Sequence, residues 1–176
     1  MEAQPKETVT IRPERPADRQ AVHRVNREAF GGETEARLVE ALRASPAFIP
    51  ELSLVAVRGP EIVGHILFTH VRVTESDVSQ SALALAPMAV LPALQNQGIG
   101  SALVRRGLEV ARRLGHHVVI VLGHPRYYPR FGFQPAGPLG IRSRFDAPPE
   151  AFMVLGLQPG ALEGVRGLVE YPPEFG

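Results

Sequence analysis

The sequence contains no cysteine and no tryptophan, and Lys6 is its only lysine. Without cysteine there is no disulfide, no thiolate nucleophile and no Cys-ligated metal or cluster, so covalent catalysis through sulfur is excluded. A reducing compartment is compatible with this. Net charge is equally sparse: 19 Lys plus Arg against 18 Asp plus Glu leave a formal +1, which gives no blanket attraction to nucleic acid or to an anionic membrane. Any anion site must be local. Long apolar runs are missing too. The longest, Ala82 to Leu94, is shorter than the about 20 residues needed to cross a bilayer and is interrupted by Pro87 and Pro92. Met1 to Thr10 carries Glu2, Lys6 and Glu7 without an apolar core, so it does not read as a signal peptide. The expectation is a cytoplasmic protein with no nucleic-acid and no membrane partner. Every other basic residue is arginine, which with 17 Pro and 17 Gly fits a GC-rich coding bias and carries little functional weight.

What is present is the balance of a globular chain: 176 residues, 44% hydrophobic and 21% charged. Against a typical domain of about 100 to 200 residues, residues 1–176 read as one domain. Val9 and Ile11 mark a short first strand. Apolar residues recur at helical spacing over Ala17 to Phe30, which Gly31-Gly32 ends, and over Glu33 to Ala44, which Ser45-Pro46 stops. Leu52 to Val57 and Ile62 to Val73 are strand-like and flank the turn composition Arg58-Gly59-Pro60-Glu61. After a polar turn, Thr74 to Ser81, the nearly all-apolar Ala82 to Val90 reads as a central strand. A helix over Ile99 to Leu114 and the apolar strand Val118 to Leu122 follow. Strand, crossover helix, strand implies a parallel pair. The remainder reads as a helical turn near Tyr127, a long loop Pro135 to Pro149, and strands Phe152 to Leu157 and Val165 to Glu170.

The chemistry concentrates in Gln95-Asn96-Gln97-Gly98-Ile99-Gly100-Ser101, between a buried strand and a helix. Such a junction presents backbone N–H groups without carbonyl partners, an anion cradle, and glycine lets a phosphate approach the main chain. Two familiar phosphate motifs fail on residues. A P-loop needs a Gly-Lys pair, and the only lysine is Lys6; a dinucleotide turn needs glycine at position 103, which is Leu103, and an acid about 20 residues on, where Val118 to Leu122 stands.

The pattern that survives, Gln-x-x-Gly-x-Gly preceded by Ala86-Pro87-Met88-Ala89-Val90-Leu91-Pro92, resembles the acetyl-CoA-binding motif of the GNAT superfamily of N-acetyltransferases. Tyr127-Tyr128-Pro129-Arg130-Phe131-Gly132-Phe133 resembles that superfamily's second motif, and Gly123-His124-Pro125-x-Tyr127-Tyr128 is similar to its YhbS-like subgroup. The specific match covers Leu85 to Phe133. The resemblance implies an α/β fold, a mixed, mostly antiparallel sheet flanked by helices with one splayed parallel strand pair. It also implies acetyl-CoA as cosubstrate, no metal, and direct acetyl transfer to an amine acceptor.

Pro87 cannot donate a ladder hydrogen bond, so a bulge or break in pairing is expected there. If the parallel pair parts at that point, main chain of Met88, Ala89 and Val90 is free to pair with an extended amide-bearing arm, which the resemblance identifies as pantetheine. Main chain of Asn96, Gln97, Gly98, Ile99, Gly100 and Ser101 is then expected to hold the pyrophosphate. An amine attacking a thioester expels a thiolate that needs a proton, and Tyr128, four residues before Gly132, falls where the superfamily's general-acid tyrosine sits. Tyr127 is expected to pack. The strand carries no glutamate of the kind many relatives use as base. His124 is one candidate base, although it could only cap the short helix; Glu33, Glu35, a water relay or an acceptor that arrives neutral are the others. Arg105 and Arg106 are outer phosphate candidates. The adjacent His116 and His117 point to opposite faces of a strand and bind no metal. Polyamine, amino acid, antibiotic, peptide amino terminus and protein lysine are all open as acceptors, the choice being expected to depend on the loops Phe30 to Glu35 and Pro135 to Pro149 and on how they fold over the sheet; a homodimer is open too. The competing reading from another class is a non-catalytic acyl-CoA-binding sensor or interaction module.

Overall fold

A computed structural model describes residues 7–176. Residues 1–6 of the polar amino-terminal stretch, Lys6 among them, lie outside the described residues. Strand β1 (Val9–Pro13) leads through a turn at Pro16–Asp18 into helices α1 (Arg19–Phe30) and α2 (Thr34–Arg43). Three long antiparallel strands follow, β2 (Phe48–Arg58), β3 (Glu61–Glu75) and β4 (Val78–Val90), then helix α3 (Ile99–Arg113) and strand β5 (Val118–Leu122). The carboxy-terminal part adds β6 (Gln134–Pro135), β7 (Ile141–Arg142), β8 (Phe152–Gly156) and β9 (Gly167–Glu170). All nine strands form one sheet in the order β1-β2-β3-β4-β5-β8-β6, with β9 bridging β3 and β7.

Pairing in the main path is antiparallel except for β4 with β5, which is parallel. The mixed, mostly antiparallel architecture expected from the sequence is therefore what forms. The hairpins follow from turn chemistry at Gly59 and at Ser76, both at positive φ. The parallel pair follows from the α3 crossover, because parallel neighbours cannot be joined by a tight turn.

The two faces of the sheet are covered differently. Helix α3 packs on β2 and β3, where the ring of Phe68 fills the space a Cβ at Gly107 would need. Helices α1 and α2 lie on the opposite face, reached by His65 through Asn26 of α1. Strand β5 divides accordingly: Val119 and Val121 join the main core, while Val118 and Ile120 join a second one with Ile141, Val154 and Val169.

Several sequence expectations need correction. The stretch Pro135 to Pro149 is not a plain loop, since it contains the end of β6 and all of β7. Strand β4 begins at Val78, inside the stretch read as a turn, because Thr74 and Ser79 face each other across the hairpin and their hydroxyls bond at 3.0 Å. The last strand is shorter than Val165 to Glu170 and starts at Gly167.

Candidate active site

The break in β4 sits at proline. Ile66 pairs with Met88 and Phe68 with Leu85, so β4 spends one residue more than β3 between the two pairs, a β-bulge that contains the cis Ala86-Pro87 peptide. Pairing between β4 and β5 ends at Leu85 with Val121. Beyond it β5 keeps only β8 and β4 keeps only β3. Along Ala86 to Val90 the β5-facing edge of β4 therefore has main-chain groups with no strand partner, as the proline led one to expect.

The gap opens into a cleft of about 930 Å³ that passes from one face of the sheet to the other. On the α3 face it is lined by Met88, Val90, Asn96, Gly98, Gly100, Ser101 and Tyr127. Here Asn96 (φ 62°) and Gly98 (φ 87°) are left-handed and turn the chain into α3. The backbone N–H groups of Asn96, Gln97, Gly98, Ile99, Gly100 and Ser101 have no carbonyl partner among the described residues. Six such donors at a helix amino terminus make a nest for a polyanion. A Cβ at Gly100 would come within 3.2 Å of Tyr127 Oη and 3.3 Å of Met88 Sδ, so glycine is what keeps cradle and strand this close. The donor set and the open strand edge fit a diphosphate joined to an amide-bearing arm. Neither requires a metal, and no group of three or more His, Cys, Asp or Glu suited to a metal is found among the described residues.

Tyr127 and Tyr128 behave differently. Tyr128 is 6% exposed, its ring T-stacked on Phe133 at 5.6 Å and pressed against Gly123, where a Cβ would meet Tyr128 Cε2 at 2.4 Å. Burial pushes the Tyr128 phenol above its ordinary pKa, with Tyr127 adding to the effect, so it is protonated at neutral pH. Tyr127 packs, as expected, against Tyr128 and Phe131, but its hydroxyl also bonds Ser101 Oγ at 3.1 Å. Both line the cleft, as does exposed His124. The His124 carbonyl accepts the Tyr127 and Tyr128 N–H groups, so its main chain caps the short turn.

Among the other candidates, Glu35 lines the cleft, whereas Glu33 bonds His23 Nε2 at 2.8 Å. Arg106 pairs with Glu109 at 3.1 Å, and the Arg105 guanidinium lies 5.3 Å from the Phe131 ring. Gln97 and Ile99 belong to the cradle by main chain and do not line the cleft; Ala89 does. Residues the sequence reading did not reveal are Leu38 on the α1–α2 side and Tyr171 and Phe175 from the carboxy-terminal part; Phe30 and Phe145 fall in the two loops expected to govern the acceptor, and Arg130, within the tyrosine motif, stacks on Tyr127 at 4.5 Å. One signal was available: aromatics are only 6% of the chain, yet all three tyrosines line this cleft.

Comparison with known proteins agrees with this geometry. The model of the acetyltransferase (GNAT) family matches residues 19–133. The uncharacterized N-acetyltransferase YjhQ of Escherichia coli K12 is 41% identical over 135 residues, 76% of this chain and 75% of YjhQ. YhbS of the same organism, also an uncharacterized N-acetyltransferase, is 36% identical over 145 residues, 82% of this chain and 84% of YhbS. The crystal structure of Escherichia coli YhbS in complex with CoA superposes with a TM-score of 0.89 at 34% identity, covering 99% of this chain and 96% of that one. A GNAT acetyltransferase from Brucella melitensis in complex with acetyl-CoA gives 0.78 at 32% identity, over 97% and 100%. With the parted strand pair, the amide cradle and the tyrosine turn all in place, this chain belongs to the GNAT family of acetyltransferases, as an N-acetyltransferase of the YhbS-like group.

Proposed function

We propose that residues 1–176 act as one acetyltransferase domain that binds acetyl-CoA in the strand gap and moves its acetyl group directly to a primary amine. The observation that carries the reading is the coincidence of an unpaired β4 edge, six free N–H groups and a buried, protonated tyrosine in one cleft. YhbS bound to CoA and the Brucella protein bound to acetyl-CoA support the choice of ligand. Main chain of Met88, Ala89 and Val90 pairs with the pantetheine amides, and main chain of Asn96 to Ser101 receives the pyrophosphate. A cytoplasmic setting, where acetyl-CoA is available, is part of the reading.

In the reaction the neutral amine nitrogen attacks the thioester carbonyl, forming the C–N bond and placing negative charge on the carbonyl oxygen. An unpaired N–H of the open β4 edge stabilises that charge. The intermediate collapses with cleavage of the C–S bond. Tyr128 gives its proton to the departing thiolate and is restored from solvent, while the proton lost by nitrogen leaves through His124, Glu35 or water. The Tyr128 phenol is protonated at neutral pH and lines the cleft, so a proton is available there to the leaving thiolate.

Release of free CoA thiol, followed with dithionitrobenzoate over a panel of amines, tests the reading. Acceptor-stimulated release is expected. CoA binding by calorimetry with no stimulation by any amine would instead support a non-catalytic acyl-CoA sensor.

A further inference from the structure

On the α1–α2 face of the sheet the cleft has walls of a different kind from the cradle. Phe30 and Leu38 come from the helical hairpin, and Phe145, Tyr171 and Phe175 from segments far along the chain. Phe145 and Tyr171 stack edge-on at 4.9 Å, and Tyr171 and Phe175 follow at 5.3 Å, making a continuous aromatic wall. The turn that carries Phe175 packs against α2 and walls off that end. Glu35 is the only carboxylate among the described residues that line the cleft.

We propose that the acceptor is a small primary amine carried on an apolar group of aromatic size, its ammonium met by Glu35 and its apolar part held between Phe30 and the wall of Phe145, Tyr171 and Phe175. The inference rests on the acetyl-transfer reading above and narrows its acceptor. Charge count favours this class. A polyamine or an aminoglycoside brings two or more ammonium groups, and one carboxylate leaves the rest facing aromatic surface with no counter-charge. An amino acid brings a carboxylate that Glu35 repels; the guanidinium at this wall, Arg144, stacks over the Phe145 ring at 4.9 Å, and Arg130 stacks on Tyr127 at 4.5 Å. Glu33 is engaged by His23 at 2.8 Å and offers no second anionic contact. A single ammonium beside aromatic faces suits this wall in both charge and shape.

The experiment compares 2-phenylethylamine, spermidine, alanine and a short peptide with a free amino terminus as acceptors at saturating acetyl-CoA. Phenylethylamine is expected to have the highest kcat/KM, by about tenfold or more. Glu35→Gln is expected to raise its KM by about tenfold while leaving CoA affinity unchanged, and Phe145→Ala is expected to erode the preference. Calorimetric binding of phenylethylamine to the CoA-loaded protein gives a readout independent of turnover. If spermidine, alanine or the peptide is the best acceptor, the class is overturned while acetyl transfer stands. If no amine is acetylated although acetyl-CoA binds, the transfer reading falls and the inference with it. An unchanged KM in Glu35→Gln removes the carboxylate from recognition.

Discussion

The two ends of the cleft are built from different materials. The α3 end is made of main chain: an unpaired strand edge, six N–H groups and glycines that keep side chains out of the way. The α1–α2 end is made of side chains, aromatic apart from Ala29, Glu35 and Leu38, brought together from residues 29 to 175. A main-chain site recognises a ligand through features common to every peptide, so many sequences can build it around one cosubstrate. A side-chain site recognises by shape and charge, and a few substitutions change what it takes. The division suits an enzyme with a fixed donor and a variable acceptor.

The largest effect is expected where the two ends meet. Tyr128→Phe removes a hydroxyl and keeps the ring that packs on Phe133 and Gly123, so turnover is expected to fall by about a hundredfold or more while CoA affinity stays within about twofold. Steady-state thiol release and calorimetry on the same preparation check both halves. Equal turnover in the variant would remove Tyr128 from the mechanism.

The main-chain end is tested by adding bulk. Gly100→Val places methyl groups against Tyr127 Oη and Met88 Sδ, 3.2 and 3.3 Å from even a bare Cβ. CoA affinity is expected to drop by about tenfold to a hundredfold, with some loss of melting temperature because Tyr127 and Met88 must give way. Affinity at the wild-type level would mean that the cradle tolerates side chains and does not work by close main-chain approach.

This division also explains what the sequence disclosed. Pro87 announced the bulge, and Gly98 and Gly100 announced the cradle, because each depends on the local chemistry of one residue: a missing N–H or a missing Cβ. The β4–α3–β5 crossover was readable from periodicity. The two-residue strands β6 and β7 were not, since two residues carry no period, and β9 joins β3 and β7 only through long-range register. Of the acceptor wall, Phe30, Glu35 and Phe145 fall in the two loops expected to govern the acceptor, whereas Tyr171 and Phe175 were hidden for the same reason. Nothing near Phe30 in sequence indicates that Tyr171 and Phe175 will line the same cleft, more than 100 residues later. Tyr128 was placed by its spacing to Gly132, whereas the Tyr127–Ser101 bond depends on how α3 and the tyrosine turn meet.

A smaller effect concerns how the side-chain end is held. Asn26 Nδ2 bonds the Val22 carbonyl at 3.0 Å and His65 Nδ1 at 3.2 Å; His65 Nε2 bonds Ser53 Oγ at 3.0 Å, and Ser53 in turn donates to Glu14, which pairs with Arg43. The chain links α1 and α2 to β2 and β3. Since Asn26 offers an N–H to Nδ1, His65 is neutral with its proton on Nε2. Burial, with a contribution from Arg43, pushes its pKa down to about 3. A histidine depressed in the folded state stabilises the fold fully above the unfolded value of about 6.5 and progressively less as pH falls from there toward 3. Chemical denaturation between pH 7 and 4 is expected to show this loss, with a flatter profile in His65→Gln. An unchanged slope in the variant would assign the acid sensitivity to carboxylates instead.

The smallest effect has the opposite sign and lies on the outer side of the same hairpin. His23 Nδ1 meets Glu40 at 2.6 Å and Nε2 meets Glu33 at 2.8 Å, so both ring nitrogens donate when the ring is charged. The bond to Glu40, then that to Glu33, raises the His23 pKa above the ordinary value. This contribution is present in full below the unfolded value of about 6.5 and is lost as pH rises through the raised folded value. Because the three side chains are partly exposed, solvent screens the pair and the gain is modest. Melting temperature followed from pH 6 to 9 is expected to decline slightly in the wild-type protein and not in His23→Gln. Repeating the series in high salt should shrink the difference, whereas salt should leave the buried His65 profile nearly unchanged; a His23 effect that survives high salt would show that the clip works by packing and not by charge.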